Sequence, residues 1–170
     1  MLNKIIFTLL LTLPFYSMAE ISEEAKYASF LVQVNLTKYS EKSERCRNKM
    51  RSFTLSSTDR ARLKKLPKEA SKGLTKLLDD ALLQCTQPEI FNLANSLLIL
   101  EEQNTLEKSS VIKEQVHLIR KLVFSKTSIQ PNIEYSQLSP GLQSKLNKID
   151  FLKYPFDMFV VIEGAWGLPH

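Results

Sequence analysis

The chain has 170 residues, of which 44% are hydrophobic and 24% charged, and its formal net charge is +5. This composition is that of one globular domain, and it excludes wholesale disorder, collagen and coiled-coil arrays. Four glycines and seven prolines argue against a turn-rich β-sandwich. Two cysteines are too few for a disulfide-dense mini-protein or for a cysteine-type zinc site.

The first 19 residues have the pattern of a secretory signal peptide. Lys4 supplies a basic start, Ile5–Leu13 is an apolar run, and Ser17-Met18-Ala19 ends in small residues. We expect cleavage after Ala19. A retained anchor is the disfavoured alternative, because the run of about 12 apolar residues is shorter than the roughly 20 that cross a bilayer. No later segment is long and apolar enough to span a membrane, so the sequence predicts a periplasmic or secreted protein.

In the oxidising compartment that export implies, cysteines readily form structural disulfides. Cys46 and Cys85 predict one intramolecular disulfide, with two free thiols or an intermolecular bridge as the alternatives. Redox-active pairs are usually close together in sequence, as in C-x-x-C. These two cysteines are far apart in the chain, so we expect no catalysis by thiol exchange.

Apolar residues at helical spacing predict a series of helices along the mature chain. Ser22 is a suitable N-cap for the first helix, and the segment from Thr86 to Glu89 has the composition of another helix start. A polar link is expected from Gln103 to Ser109. The predicted helices are, in chain order, Ser22–Lys49, Asp59–Leu66, Lys68–Cys85, Ile90–Leu100 and Val111–Val123.

The C-terminal part has a less regular pattern. Residues 128–135 are expected to be irregular, and Ser139-Pro140 should start a short helix. The following segment, 156–163, is rich in β-branched and aromatic residues, so a strand and a helix are equally compatible with it. The predicted fold is a mainly α bundle of four or five helices with one disulfide and a short irregular or β C-terminal appendage. We expect a single domain, with the bundle at 20–126 and an extension at 127–170 packing on it.

The residues typical of catalysis or metal binding do not form a complete pattern. Glu114 and His117 have the spacing of a di-iron motif, but two such motifs are needed and the other histidine is His170. There is no G-x-S-x-G elbow. Asp79 and Asp80 are adjacent in a predicted helix, so their side chains diverge. We therefore expect no catalytic residue, no metal and no cofactor, although a cleft could still unite distant carboxylates as in a hydrolase.

Charge is segregated along the chain. Residues 45–76 contain eleven lysines and arginines against two acidic residues, whereas residues 79–107 contain six acidic residues and no basic one. The favoured interpretation is that these neighbours pack side by side and partly neutralise each other. The alternative is a basic face that binds an acidic partner. Its candidate residues are Arg60, Arg62, Lys64 and Lys65.

The apolar tail is the second candidate binding feature. Written as a strand, it places four side chains on one face, namely Phe156, Met158, Val160 and Ile162. We favour the interpretation that the tail completes the protein's own core, because an exposed apolar strand promotes aggregation. The alternative is that it pairs with another chain by strand addition.

These features predict a non-enzymatic exported interaction protein of the bacterial envelope, such as an assembly, adaptor or chaperone-like factor of a secretion, pilus or surface system. The expected partner is an envelope protein, or an acidic or anionic surface, and not a nucleic acid. One alternative is a periplasmic inhibitor or immunity protein that blocks a toxin or lytic enzyme. A second is a cell-wall hydrolase, which would need converging carboxylates in a cleft.

Overall fold

The computed structural model describes residues 21–124 and 129–167. Within these ranges the secondary structure is helical, without a β-strand. The α-helices are α1 Glu23–Arg51, α2 Ser57–Leu63, α3 Leu74–Thr86, α4 Glu89–Glu107, α5 Ser110–Val123, α6 Ile129–Ser136, α7 Pro140–Asn147 and α8 Met158–Trp166. Two short 3-10 helices, Lys68–Gly73 and Asp150–Lys153, accompany them. The mainly α prediction is confirmed: five of the α-helices lie within residues 21–124, and three more lie within residues 129–167.

Serine side chains begin four of these helices. The hydroxyls of Ser22, Ser56, Ser109 and Ser139 each accept a hydrogen bond from a backbone N–H in the first turn that follows. Such caps satisfy amide groups that have no partner inside the helix. The predicted starts at Ser22 and Ser139 are therefore confirmed by the geometry of the caps.

One hydrophobic cluster, which we call the first core, joins the N-terminal half of α1 to α4 and α5. Helices α1 and α4 are antiparallel, because the Asn35 side chain donates to the Asn92 carbonyl and Lys42 lies 4.0 Å from Glu89. On the other side, Ser29 Oγ donates to Gln115 of α5. The buried residues are Ile21, Ala25, Ala28, Val32, Leu93, Leu97, Leu100, Ile112, Val116 and Ile119.

A separate cluster, the second core, joins the segment that contains α2 and α3 to the C-terminal helices. At one end three phenylalanine rings meet, since Phe156 lies 6.4 Å from Phe53 and 6.0 Å from Phe151 between ring centroids. The buried residues are Leu63, Ala70, Leu74, Leu77, Leu138, Leu142, Leu146, Ile149, Leu152, Phe156, Val161 and Ala165.

The C-terminal half of α1 packs on α3 and connects the two cores. The predicted disulfide between Cys46 and Cys85 is confirmed at this junction. Buried residues nearby on the two helices are small or polar, as at Ser43, Ala81 and Thr86. The chain alternates between the cores, so the clusters do not follow the predicted division at residue 126. That domain boundary stays a prediction.

The irregular or β C-terminal appendage is wrong for residues 158–166, which form α8. Asp157 caps this helix by accepting from the amides of Phe159 and Val160, at 2.9 and 3.1 Å. Gly167 ends it in the left-handed region at φ 58°. Complete burial of Val161 in the second core outweighs the β preference of the sequence.

Two other boundaries differ from expectation. Residues 129–136 are helical where an irregular segment was predicted, because Pro131 falls in the first turn, where a missing amide costs nothing. The segment expected to be one helix from Lys68 begins as a 3-10 helix up to Gly73. A Cβ atom at Gly73 would lie 2.9 Å from Leu138 and 3.0 Å from Tyr135. Glycine therefore permits the C-terminal helices to approach at this point.

Candidate functional site

The basic segment predicted from the sequence lies on the outside of the second core. Helix α2 has one buried residue, Leu63, which fixes it to the core. The cationic side chains of α2 and of the segment after it are exposed. We call this set the basic surface, and it comprises Arg60, Arg62, Lys64, Lys65, Lys68 and Lys72.

Most of the basic surface has no ionic partner within the described ranges. Arg62 lies 3.9 Å from Asp59 of its own helix. The other five cations form no ion pair there. Across residues 45–76, the cations paired with a carboxylate are Arg51, Arg62 and Lys76.

The acidic stretch, residues 79–107, forms most of its contacts elsewhere. Glu101 binds Arg120 of α5 at 2.6 Å, and Glu107 accepts from the amide of Ser22. Within the described chain, the ion pair that connects the two stretches is Lys76–Asp80, a local pair on α3. Neutralisation between the two stretches is therefore limited to α3, where Lys76 lies beside Asp79 and Asp80, whereas Glu89 and Glu101 of α4 pair with α1 and α5.

Close packing against α8 holds the basic surface in place. A Cβ atom at Gly164 would lie 2.7 Å from the Leu55 side chain and 3.6 Å from Arg60 Nε. The Trp166 indole N–H donates to the Leu66 carbonyl at 3.2 Å. These contacts hold the residues on either side of α2 against α8. The helix that bears the cations of the basic surface is therefore fixed in position.

The charge of Arg62 on α2 also affects the nearby ion pair between Asp150 and Lys153. Lys153 hydrogen-bonds Asp150 at 2.7 Å and holds the pKa of that carboxyl below its ordinary value, with a smaller contribution from Arg62. The same bond raises the pKa of Lys153. Arg62 is therefore close enough to the 3-10 helix at Asp150–Lys153 for its charge to act there.

The four tail residues proposed for partner binding do not form one exposed face. Phe156 is fully buried in the second core. Met158 is partly buried, and its sulfur accepts a hydrogen bond from Thr75 Oγ1. Val160 and Ile162 are also partly buried. Phe159, which lies between Met158 and Val160 in the chain, is 76% exposed. A binding role for the four residues stays a prediction.

A groove between α4 and α5 is a feature that the sequence analysis missed. It has a volume of about 590 Å³. Helix α4 has apolar residues over much of its surface, and a helix of that kind exposes some of them, here Leu98 and Ile99, unless it is covered on all sides. The lining residues are Ala94, Leu97, Leu98, His117, Arg120, Lys121 and Phe124.

The described residues contain no group of three or more histidine, cysteine, aspartate or glutamate side chains placed to hold a metal ion. His117 is exposed in the groove wall, and His170 lies outside the described ranges. The predicted signal peptide and its cleavage position also lie outside them. In the part that is described, every helix is too short or too polar to cross a bilayer.

Comparison of the chain with protein-family models, with curated proteins and with solved structures found no match.

Partial burial raises the pKa of Asp79 on α3, the neighbouring Asp80 carboxylate raises it further, and Lys76 opposes both. A raised carboxyl pKa means that the folded state holds this proton more tightly than the unfolded state. The protonated Asp79 carboxyl therefore favours the folded state at low pH, and this contribution to stability is lost as the pH rises through the folded pKa. Asp79→Asn should therefore be more stable than the parent at pH 7, with a smaller difference at pH 4. Urea unfolding at both pH values checks this. An identical difference at both would contradict it.

Proposed function

We propose that this protein is a non-enzymatic exported interaction protein of a bacterial envelope, which binds an acidic region of a partner protein through the basic surface. The observation that carries the proposal is the set of five exposed cations without an ion pair in the described ranges: Arg60, Lys64, Lys65, Lys68 and Lys72. Like charges close together in sequence repel one another, and an acidic partner relieves that repulsion.

The physical setting favours a protein partner over a small ligand. The basic surface lies on helical turns, and the groove is lined by α4 and α5 instead. Electrostatic complementarity over such a surface speeds encounter and selects partners more than it raises affinity. This behaviour suits an assembly, adaptor or chaperone-like factor that must find its partner and release it.

Two further features support export. The N-terminal residues have the signal-peptide pattern. The disulfide between Cys46 and Cys85 is of a kind that persists in oxidising compartments and is rare in the cytosol.

Neutralising part of the basic surface should weaken capture of the partner. The test variant replaces Arg60, Lys64 and Lys65 by glutamine. Exposed charge pairs contribute about 0.5 kcal/mol each, so the loss of three should reduce affinity about tenfold. The measurement is the yield of discrete cross-linked complexes in the intact envelope, followed by identification of the partner. The control replaces Lys38, Lys113 and Lys145 by glutamine; these lysines are also exposed and form no ion pair in the described ranges.

The variants separate the outcomes. We expect the control to give the parental yield and the test variant to lose most of it, with an acidic region at the cross-linked site of the partner. Equal yields from all three proteins would overturn the proposal. Complex formation with an enzyme whose activity falls would assign the surface to an inhibitor instead of an adaptor.

A further inference from the structure

The groove between α4 and α5 has two unlike walls. Helix α4 contributes Ala94, Leu97 and Leu98, which have no polar side-chain atoms. Helix α5 contributes the nitrogen-bearing side chains of the groove, including Arg120 and Lys121. Among the described residues, no aspartate or glutamate lines it. A site of this kind matches a ligand that is apolar along its length and anionic at one point.

The apolar wall of the groove exposes large hydrophobic side chains to solvent. Leu98 is 58% exposed although it lies in the middle of α4. Phe91, seven residues earlier on the same helix, is also 58% exposed. Steps of three and four residues align Phe91, Ala94 and Leu98 along one side of the helix. An apolar chain laid along this side would remove that surface from water.

Arg120 retains hydrogen-bonding capacity in the cationic wall. Arg120, which lines the groove, donates from Nη2 to Glu101 of α4 at 2.6 Å. A guanidinium group carries five N–H donors, so one bond to Glu101 leaves donors for a second carboxylate. Arginine is well suited to bind carboxylates in this manner.

We propose that the groove binds a single-chain fatty carboxylate, with its carboxylate beside Arg120 and Lys121 and its acyl chain against Leu98 and Phe124. The volume of about 590 Å³ falls within the range typical of small-molecule sites. This site is built from the first core and is separate from the basic surface, so it does not depend on the proposed acidic partner.

The test is a titration of the full mature protein with dodecanoate, below its micelle concentration, followed by backbone amide NMR. Dodecyltrimethylammonium is the probe of opposite charge and equal chain length. The variant Leu98→Gln removes apolar surface inside the groove. The matched control is Leu106→Gln, which changes a 75% exposed leucine on the same helix but outside the groove lining.

We expect dodecanoate to shift amides of 94–98 and 117–124 saturably, and to bind Leu98→Gln about tenfold more weakly than the parent. Leu106→Gln should bind as the parent does, and the cationic probe should bind much more weakly. Failure of dodecanoate to shift these amides would overturn the proposal. Equal binding of both probes, or equal weakening by both leucine variants, would also overturn it.

Discussion

Replacing Phe156 by alanine is expected to lower the free energy of unfolding by about 3–5 kcal/mol. The side chain is fully buried and contacts the rings of Phe53 and Phe151 edge-on, so truncation leaves a cavity among aromatic neighbours. A loss of this size would lower the melting temperature by on the order of 10 °C in a protein of this length. Urea unfolding followed by far-UV circular dichroism measures it.

Phe159→Ala provides the matched control for this experiment. It removes the same atoms three residues later in the chain, from a side chain that is 76% exposed. We expect a change of less than about 0.5 kcal/mol, as for most surface substitutions. If Phe156→Ala lost no more stability than Phe159→Ala, or unfolded as the parent does, burial of Phe156 would not stabilise the fold.

Removing the disulfide is expected to uncouple the two cores. In the chain-entropy account, a crosslink between residues 39 positions apart contributes up to about 4 kcal/mol. The junction of α1 and α3 has small and polar buried residues such as Ser43 and Thr86, so little apolar burial replaces the bond. We expect the double variant Cys46→Ala, Cys85→Ala to unfold in two steps where the parent unfolds in one.

The position of the single tryptophan allows the unfolding of the second core to be followed separately. Trp166 packs on the second core, so its fluorescence reports that core, whereas circular dichroism reports helices of both. In the parent the two urea transitions should coincide. In the variant they should separate, and the reduced parent, which keeps both cysteines, should behave as the variant does. Coincident transitions in all three proteins would mean that packing alone joins the cores.

Several local features of the fold could be predicted from the sequence because their causes are local. Ser22 and Ser139 are capping residues with helix-forming residues after them, and both start helices. The disulfide followed from an even number of cysteines and an export signal. These predictions needed no knowledge of which helices meet.

The arrangement of the helices could not be predicted in the same way, because apolar periodicity identifies a buried face but not the surface that covers it. Helix α8 is the clearest case, since Val160, Val161 and Ile162 favour a strand locally and burial in the second core decides for a helix. The groove was missed because it depends on the separation of α4 from α5.

The pairing of the charged residues differed most from what their proximity in the sequence predicts. Acidic residues follow the basic segment directly in the chain, so side-by-side neutralisation was the favoured interpretation. The chain instead turns at Pro88 and sends α4 along α1, which brings Glu89 to Lys42 and Glu101 to Arg120. The cations of the basic surface remain exposed on the other core.

The most direct test of the central claim is the dissociation constant of the purified complex with the cross-linked partner, measured at rising salt. Exposed charges are screened beyond about 8 Å at physiological ionic strength, so parental affinity should fall as salt is added. The variant lacking the cations of Arg60, Lys64 and Lys65 should bind about tenfold more weakly at low salt, with a shallower dependence, and converge with the parent at high salt. Identical affinities and identical salt dependence for both proteins would contradict a binding role for the basic surface.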